Sequence, residues 1–243
     1  MHRFFVNIDN ISENKVVISD SRVHQLRDVL RMKTGDEIIV LDNTGLEYRV
    51  RLANISPKEI TGEIIDKKTS EAEPLTKITL YQSLLAREKF EFVLQKCTEI
   101  GVTSFVPVIT ERSIVRKADK ITNNKLTRFE NIITEAAEQS ARGKIPVLND
   151  PVNLSQALSE LEDYDICLAG STQKCPSLKK ILKESKTHPE NIALFIGPEG
   201  GFSENELELL AGRAVKLFSL GERILRTETA ALVASAIILY ELD

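Results

Sequence analysis

Hydrophobic and polar positions follow two different rhythms along this chain. Toward the N-terminus, Leu46-Glu47-Tyr48-Arg49-Val50-Arg51-Leu52 alternates with period two, Ile38 to Leu41 is apolar, and Asp42-Asn43-Thr44-Gly45 between them reads as a hairpin loop. This pattern predicts a small barrel or curved sheet. Between Asp66 and Thr76 the chain turns polar and charged, with Lys67-Lys68-Thr69-Ser70-Glu71-Ala72-Glu73 closed by Pro74, which marks a boundary. Beyond it, Lys77 to Leu85 and Ser104 to Ile109 read as strands, Glu88 to Ile100 and Asn124 to Arg142 as helices, and Asp165 to Ala169 as a strand ending at Gly170. Alternating strands and helices imply an α/β domain with a largely parallel sheet and crossover connections. The expected organisation is a strand-rich domain over residues 1–70, a linker over 71–76 and an α/β domain over 77–243.

The same grammar occurs twice more near the C-terminus. Ile192-Ala193-Leu194-Phe195-Ile196 is short, continuous and apolar, as expected of a strand buried on both faces, and runs into Gly197-Pro198-Glu199-Gly200-Gly201-Phe202-Ser203. Ser203 and Glu206 have capping-box spacing, so a helix follows to about Ala211. Val215 to Leu220 is the second apolar run; Gly221-Glu222-Arg223-Ile224-Leu225-Arg226-Thr227 follows it, and Glu228 to Leu242 is rich in helix formers. Two such loops suggest one ligand pocket. The glycines could serve only as connections, or cradle a phosphate, or admit a neutral or cationic ligand to the backbone. Against phosphate, there is no Lys-Ser/Thr pair and no G-x-G-x-x-G, and Glu199 would repel an anion. A sulfonium cofactor fits the third reading.

The segments GPEGGFS and LGERILRTETAA resemble the cofactor-binding pair of the RsmE family of ribosomal RNA methyltransferases, members of the SPOUT class. The likeness continues in Gln95 to Val102, in Glu111-Arg112-Ser113, and in Ala136-Ala137-Glu138-Gln139-Ser140-Ala141-Arg142 with Ile145-Pro146 behind it. Arg3-Phe4-Phe5, His24 to Arg31 and Gly35-Asp36-Glu37 are similar to that family's PUA-like domain, so the resemblance covers nearly the whole chain. Two departures are Ala141, where glycine is frequent, and Gln25, where leucine is common; neither lies in the cofactor loops.

The resemblance implies a PUA-like RNA-binding barrel followed by a SPOUT domain with a trefoil knot, which connection rules alone would exclude. It implies S-adenosylmethionine as cofactor and methyl transfer to N3 of a uridine in 16S ribosomal RNA of the small ribosomal subunit. The implied cofactor residues are Leu168, Ala169 and Gly170 in the first loop; Ile196, Gly197, Pro198, Glu199, Gly200 and Gly201 in the second; and Leu220, Gly221, Arg223, Ile224, Leu225 and Thr229 in the third. A homodimer is implied too. Uracil N3 is a weak nucleophile while protonated, so the site must take the proton or stabilise the anion. Arg226 suits the second task, with an ion pair to Glu222 or Glu228 as the alternative; Glu199 and Glu138 are the candidate proton acceptors. Alkyl transfer of this kind needs no metal. The rivals are a noncatalytic RNA-binding protein and a SPOUT enzyme acting on another RNA atom, such as a ribose hydroxyl, or on transfer RNA.

Composition changes this picture in one respect. The chain's 243 residues are 42% hydrophobic, enough for two cored domains, and its net charge of −4 argues against nonspecific nucleic-acid binding. Locally the balance reverses. Arg22, Arg27, Arg31 and Lys33 stand against Asp28, and Arg112, Arg116, Lys117, Lys120, Lys125 and Arg128 against Asp119. The expected RNA contacts are Arg3, Arg22, His24, Arg27, Arg31, Arg112, Arg116 and Arg142. Cys97, Cys167 and Cys175 have neither disulfide-framework nor zinc spacing, and no membrane span or signal core is present, so a cytoplasmic protein is expected.

Overall fold

The computed structural model describes residues 1–113, 122–185 and 188–243. They form two compact units, one of Met1–Glu73 with Ala137–Ile145, the other of Pro74–Ala136 with Pro146–Asp243.

The first unit holds β1 (Arg3–Phe5), β2 (Lys15–Ile18), a helical turn α1 (Arg22–His24) that widens over Gln25–Val29, β3 (Glu37–Leu41), β4 (Leu46–Ile55) and β5 (Ile60–Thr69). Its described strands lie in the order β1-β3-β4-β5-β2, with β1 parallel to β3 and the other pairs antiparallel. Along β4 the alternation holds from Tyr48 to Leu52: Tyr48, Val50 and Leu52 are buried with Ile38, Val40 and Ile60, while Arg49 and Arg51 face outward; Glu47 departs from it, buried in its pairs with Arg3 and Lys68. The hairpin at Asp42 is locked by its carboxylate, which accepts from Thr44 N at 2.8 Å, Thr44 Oγ1 at 2.7 Å and Tyr48 OH at 3.0 Å. Burial raises the Asp42 pKa, but these hydrogen bonds outweigh it and hold the carboxyl below its usual range.

Two expectations change here. Asp66 to Thr69, the first part of the polar stretch, lies in β5, where Thr69 pairs with Leu46; its polar sequence reflects exposure, since pairing needs only backbone. The sequence from Asn124 to Arg142 is helical over Asn123–Gln139, and its end belongs with the first unit. There Ala137 and Ile145 pack with Phe5, Ile39 and Leu41. The Glu73 carboxylate accepts from Arg142 Nη2 at 2.9 Å, Gly143 N at 3.0 Å and Lys144 N at 3.1 Å, and Asn43 Oδ1 accepts from Ile145 N at 2.7 Å.

The second unit contains β6 (Lys77–Ser83), α2 (Arg87–Ile100), β7 (Ser104–Ile109), α3 (Asn123–Gln139), β8 (Val147–Leu148), β9 (Val152–Asn153), α4 (Leu154–Ala157), β10 (Ile166–Gly170), α5 (Leu178–Lys183), β11 (Asn191–Ile196), α6 (Glu204–Gly212), β12 (Lys216–Phe218) and α7 (Thr227–Leu242). Its described strands are all parallel, in the order β12-β10-β11-β6-β7-β8 with β9 also beside β7. Ile192 to Ile196 of β11 are buried throughout, and Phe195 stacks on Tyr81 with centroids 4.4 Å apart. Burial pushes the Cys97 thiol up to about 12, so it serves as a small core residue. Strands following β6 in sequence lie on both sides of it, β7 on one and β11 on the other. Such a switch in strand order leaves a crevice at the carboxyl ends of the strands, where ligands collect. Among the described residues, no helix is long and apolar enough to cross a membrane.

Candidate functional site

A cavity of about 750 Å³ opens at the carboxyl ends of β10, β11 and β12. Three loops build it: Gly170 to Gln173 after β10, Gly197 to Phe202 after β11, and Ser219 to Arg226 after β12. The capping box at Ser203 starts α6 on time, with Glu206 N to Ser203 Oγ at 3.2 Å and Ser203 N to Glu206 Oε2 at 2.8 Å. The second Glu206 oxygen accepts from Glu111 N at 2.8 Å, so a carboxylate only 3% exposed fastens the turn at Glu111 to the β11 loop.

Gly221 carries a φ of 113°, a conformation that L side chains rarely adopt, and an added Cβ there would meet nothing within 4 Å. Its backbone is therefore bare toward solvent space. At Gly197 an added Cβ would lie 3.2 Å from the Phe202 ring. Apolar Ile196, Phe218, Leu220 and Leu225 supply much of the remaining wall. A flat apolar group edged by amides and carbonyls is what such a surface can hold.

Most expected cofactor residues meet here: Gly170, Ile196, Gly197, Pro198, Glu199, Gly200, Gly201, Leu220, Gly221, Arg223, Ile224 and Leu225 line the cavity, as does Arg226. Leu168 and Ala169 do not, because both are fully buried inside β10 and only frame the loop. Thr229 sits one turn into α7, between the lining residues Thr227 and Ala230, and does not line it either. Glu199 lies 3.1 Å from Lys89 Nζ. Arg226 is exposed and caps α7 with backbone only; neither Glu222 nor Glu228 pairs with it among the described residues. One Glu228 carboxylate oxygen is buried with no hydrogen-bond partner among the described residues.

Glu138 has a different task from the one expected. Its carboxylate accepts from Phe5 N at 2.9 Å and lies 3.9 Å from Arg22 in the first unit, where it tethers β1. Arg142 is likewise no free RNA contact: it is 2% exposed and bound to Glu73. Arg112 lines the cavity and donates to Gly200 O at 2.8 Å and Phe202 O at 3.4 Å, so it braces the β11 loop. Arg3 pairs with Glu47, Arg22 with Asp20, and Arg27 and His24 with Asp28 at 2.7 Å each. Arg31 is exposed with no carboxylate partner among the described residues, and Arg116 lies outside those residues.

Sequence reasoning missed Lys89, Ser171, Thr172, Gln173 and Thr227 as lining residues. The three after Gly170 carry a signal, since they repeat the strand-then-glycine grammar of the other loops; Lys89, one turn into α2, carries none. Behind the wall, Thr227 Oγ1 donates to Gly197 O at 2.5 Å and accepts from Gln82 Nε2 at 3.3 Å.

Comparison with known proteins agrees with this architecture. The RNA methyltransferase domain family matches residues 71–239, and the RNA methyltransferase PUA domain family matches residues 18–65. Ribosomal RNA small subunit methyltransferase E of Synechocystis is 34% identical over 97% of this chain and 76% of that protein. The protein of that name from Bacillus subtilis is 32% identical over 100% of this chain and 98% of its own length. A crystal structure of ribosomal RNA small subunit methyltransferase E from Neisseria gonorrhoeae, bound to S-adenosyl methionine, superposes with a TM-score of 0.87 at 33% identity, covering 98% of this chain and 96% of that one. The N-terminal unit is thus PUA-like, the second is an α/β RNA methyltransferase domain, and the chain belongs to the ribosomal RNA small subunit methyltransferase E family.

Proposed function

We propose that this protein transfers a methyl group from S-adenosylmethionine to N3 of a uridine in 16S ribosomal RNA of the small subunit. The observation that carries this is the cavity itself, walled by three glycine-bearing loops with bare backbone and apolar faces. It suits adenine and a sulfonium better than a polyphosphate: the loops lack the Lys-Ser/Thr pair of a P-loop, and the cations of the wall, Lys89, Arg112, Arg223 and Arg226, are nearly balanced by Glu199, Glu204 and Glu222. The cofactor, when bound, supplies an electrophilic methyl on sulfur. Everything else falls to this chain. The loops orient the ligand and exclude water, and Arg226, free of carboxylate partners among the described residues, holds the uracil oxygen that gains charge as N3 loses its proton. Glu199, which lines the cavity 3.1 Å from Lys89 Nζ, stands as the proton acceptor.

Residues 1–70 act as the RNA-docking domain, 71–76 as the connection and 77–243 as the methyltransferase domain. Partnership with a second copy fits α7, which is apolar on every side yet exposes Ala236 and Tyr240, the latter 87% exposed. The trefoil knot is expected where the segment from β12 to α7 passes the ends of β10 and β11 and Thr227 meets Gly197. A cytoplasmic location follows from the ribosomal substrate.

Calorimetric titration with S-adenosylmethionine, with ATP as control, tests the pocket; methyl transfer to small-subunit RNA with mapping of the product nucleoside tests the reaction. Saturable binding and N3-methyluridine are expected, whereas a ribose methyl or a tRNA product would overturn the assignment. Arg226→Ala is expected to leave cofactor affinity within about threefold while slowing transfer about a hundredfold, the usual cost of losing one stabilising group at a developing charge.

A further inference from the structure

We propose that Thr227 and Gln82 are a positioning pair that locks the β11 loop to the start of α7 and so aims Arg226 at the substrate base. This rests on the methyltransferase reading above. Thr227 directly follows Arg226 and is the first residue of α7. A helix is usually anchored there by a Ser, Thr, Asp or Asn cap, but Arg226 makes no side-chain cap bond. The anchor is instead the Thr227 hydroxyl, which donates across to Gly197 O at 2.5 Å.

Gln82 completes the link from the end of β6. Its Nε2 donates to Thr227 Oγ1 at 3.3 Å, lies 3.1 Å from Ser83 O and reaches toward Ile196 O at 3.5 Å. Both side chains are withdrawn from water, Gln82 at 1% and Thr227 at 7% exposure. One buried hydroxyl therefore joins the central strand, the β11 loop and the first turn of α7. A buried amide is costly unless its geometry is used, and Gln82 Oε1 has no hydrogen-bond partner among the described residues. Valine at position 227 would keep the volume but remove the donor to the Gly197 carbonyl and one acceptor of the Gln82 amide, which would keep only its contacts with Ser83 O and Ile196 O, so that the tie between α7 and the loop is lost. Misplacement of a reacting group by about 1 Å can cost about a hundredfold in rate.

The test compares Thr227→Val, Thr227→Ser, Gln82→Met and the Thr227→Val/Gln82→Met double variant in the full-length protein. Cofactor affinity is measured by calorimetry, and kcat and KM by methyl transfer to small-subunit RNA. Thr227→Val is expected to lower kcat at least about tenfold and by more than it weakens cofactor affinity, and Thr227→Ser to restore most of the rate. Gln82→Met should lose rate in the same direction, and the double variant should be no slower than Thr227→Val, because both residues act through one link. Wild-type kcat in Thr227→Val, equal losses in the serine and valine variants, or additive losses in the double variant would overturn the proposal. Should Thr227→Val not fold, an unchanged kcat in Gln82→Met overturns it equally. A wild-type protein that neither binds S-adenosylmethionine nor methylates RNA would instead overturn the underlying reading.

Discussion

The cavity loops of the second unit and the basic segment of the first were both visible as sequence patterns, yet folding treats them differently. The glycines after β10, β11 and β12 converge on one cavity almost as a set. The cations of the first unit do not act as a set: Arg3, Arg22 and Arg27 are each paired with a carboxylate, Arg142 is buried, and Arg31 alone among those expected arginines stands exposed without one among the described residues. The reason is physical. A ligand read by backbone demands glycine at fixed places, which no neighbour can mimic or cancel. A charge can be neutralised by any carboxylate that the fold brings near it, so charge counts along a chain overstate what is free.

The strongest way to break this contrast is at Gly221. An alanine there meets no steric obstacle within 4 Å, so its whole effect comes from forcing a residue with a φ of 113° out of its conformation. Strain of about 1–3 kcal/mol corresponds to a fall in S-adenosylmethionine affinity of about 5- to 150-fold, with little change in unfolding midpoint. Unchanged affinity would mean that the loop's shape is not what the ligand reads. Effects in the first unit should be smaller and of both signs. Hydrogen bonds from Arg27, then from His24, hold the Asp28 carboxyl at about 2, so it is ionised at every physiological pH. Asp28→Asn should therefore release Arg27 and raise affinity for small-subunit RNA about two- to fivefold, while Arg31→Glu should lower it and reduce the salt slope by about one. If filter binding at several salt concentrations moved with neither change, α1 and its wide turn would not face RNA.

How far the chain could be read in advance follows the same division. The strands β6, β7, β10 and β11 and the helix after Ser203 were legible because each rests on local signals: a short apolar run, or a capping box whose two bonds close within four residues. The association of Ala137–Ile145 with the first unit was not, since it depends on Glu73 and Asn43 accepting from amides about seventy to a hundred residues away. Glu138 and Arg142 were misassigned for that reason: in sequence they are a carboxylate and a cation in a motif, in the fold they are the ties of a segment. Thr227 and Gln82 were invisible because neither residue type is unusual where it stands; only their meeting is.

The second basic segment extends the contrast, because Arg128 of α3 is not free either. It donates to both oxygens of Glu91, at 2.6 and 2.8 Å, and Arg87 adds a third bond at 2.9 Å. The bonds from Arg128 foremost, against some burial, hold Glu91 at about 2, below its ordinary value of 4.5. A folded pKa below the unfolded one contributes stability that is present above about 4.5 and is lost as pH falls toward 2. Glu91→Gln should then destabilise the protein at neutral pH by about 1 kcal/mol, discounted because Arg128 is half exposed, and flatten the acid limb of its stability curve. Denaturant titrations at several pH values measure both. An unaltered acid limb would return Arg128 to the pool of cations available to RNA.

The smallest expected effect tests whether the segment after α3 is structure or recognition. Ala141 adopts a φ of 64°, a left-handed conformation that costs an L residue about 1–2 kcal/mol and glycine almost nothing. Alanine is tolerated there because Arg142, Gly143 and Lys144 all donate to the Glu73 carboxylate and hold the turn regardless. Ala141→Gly relieves the strain but adds freedom to the unfolded chain, a loss of about 0.5–1 kcal/mol, so the net gain should be about 0.5 kcal/mol, or roughly a degree or two in midpoint. RNA affinity and methyl transfer should not move, because Arg142 is already committed to Glu73. A variant that gained no stability but changed RNA affinity severalfold would mean that this turn meets the substrate, and that its ion pair opens to do so.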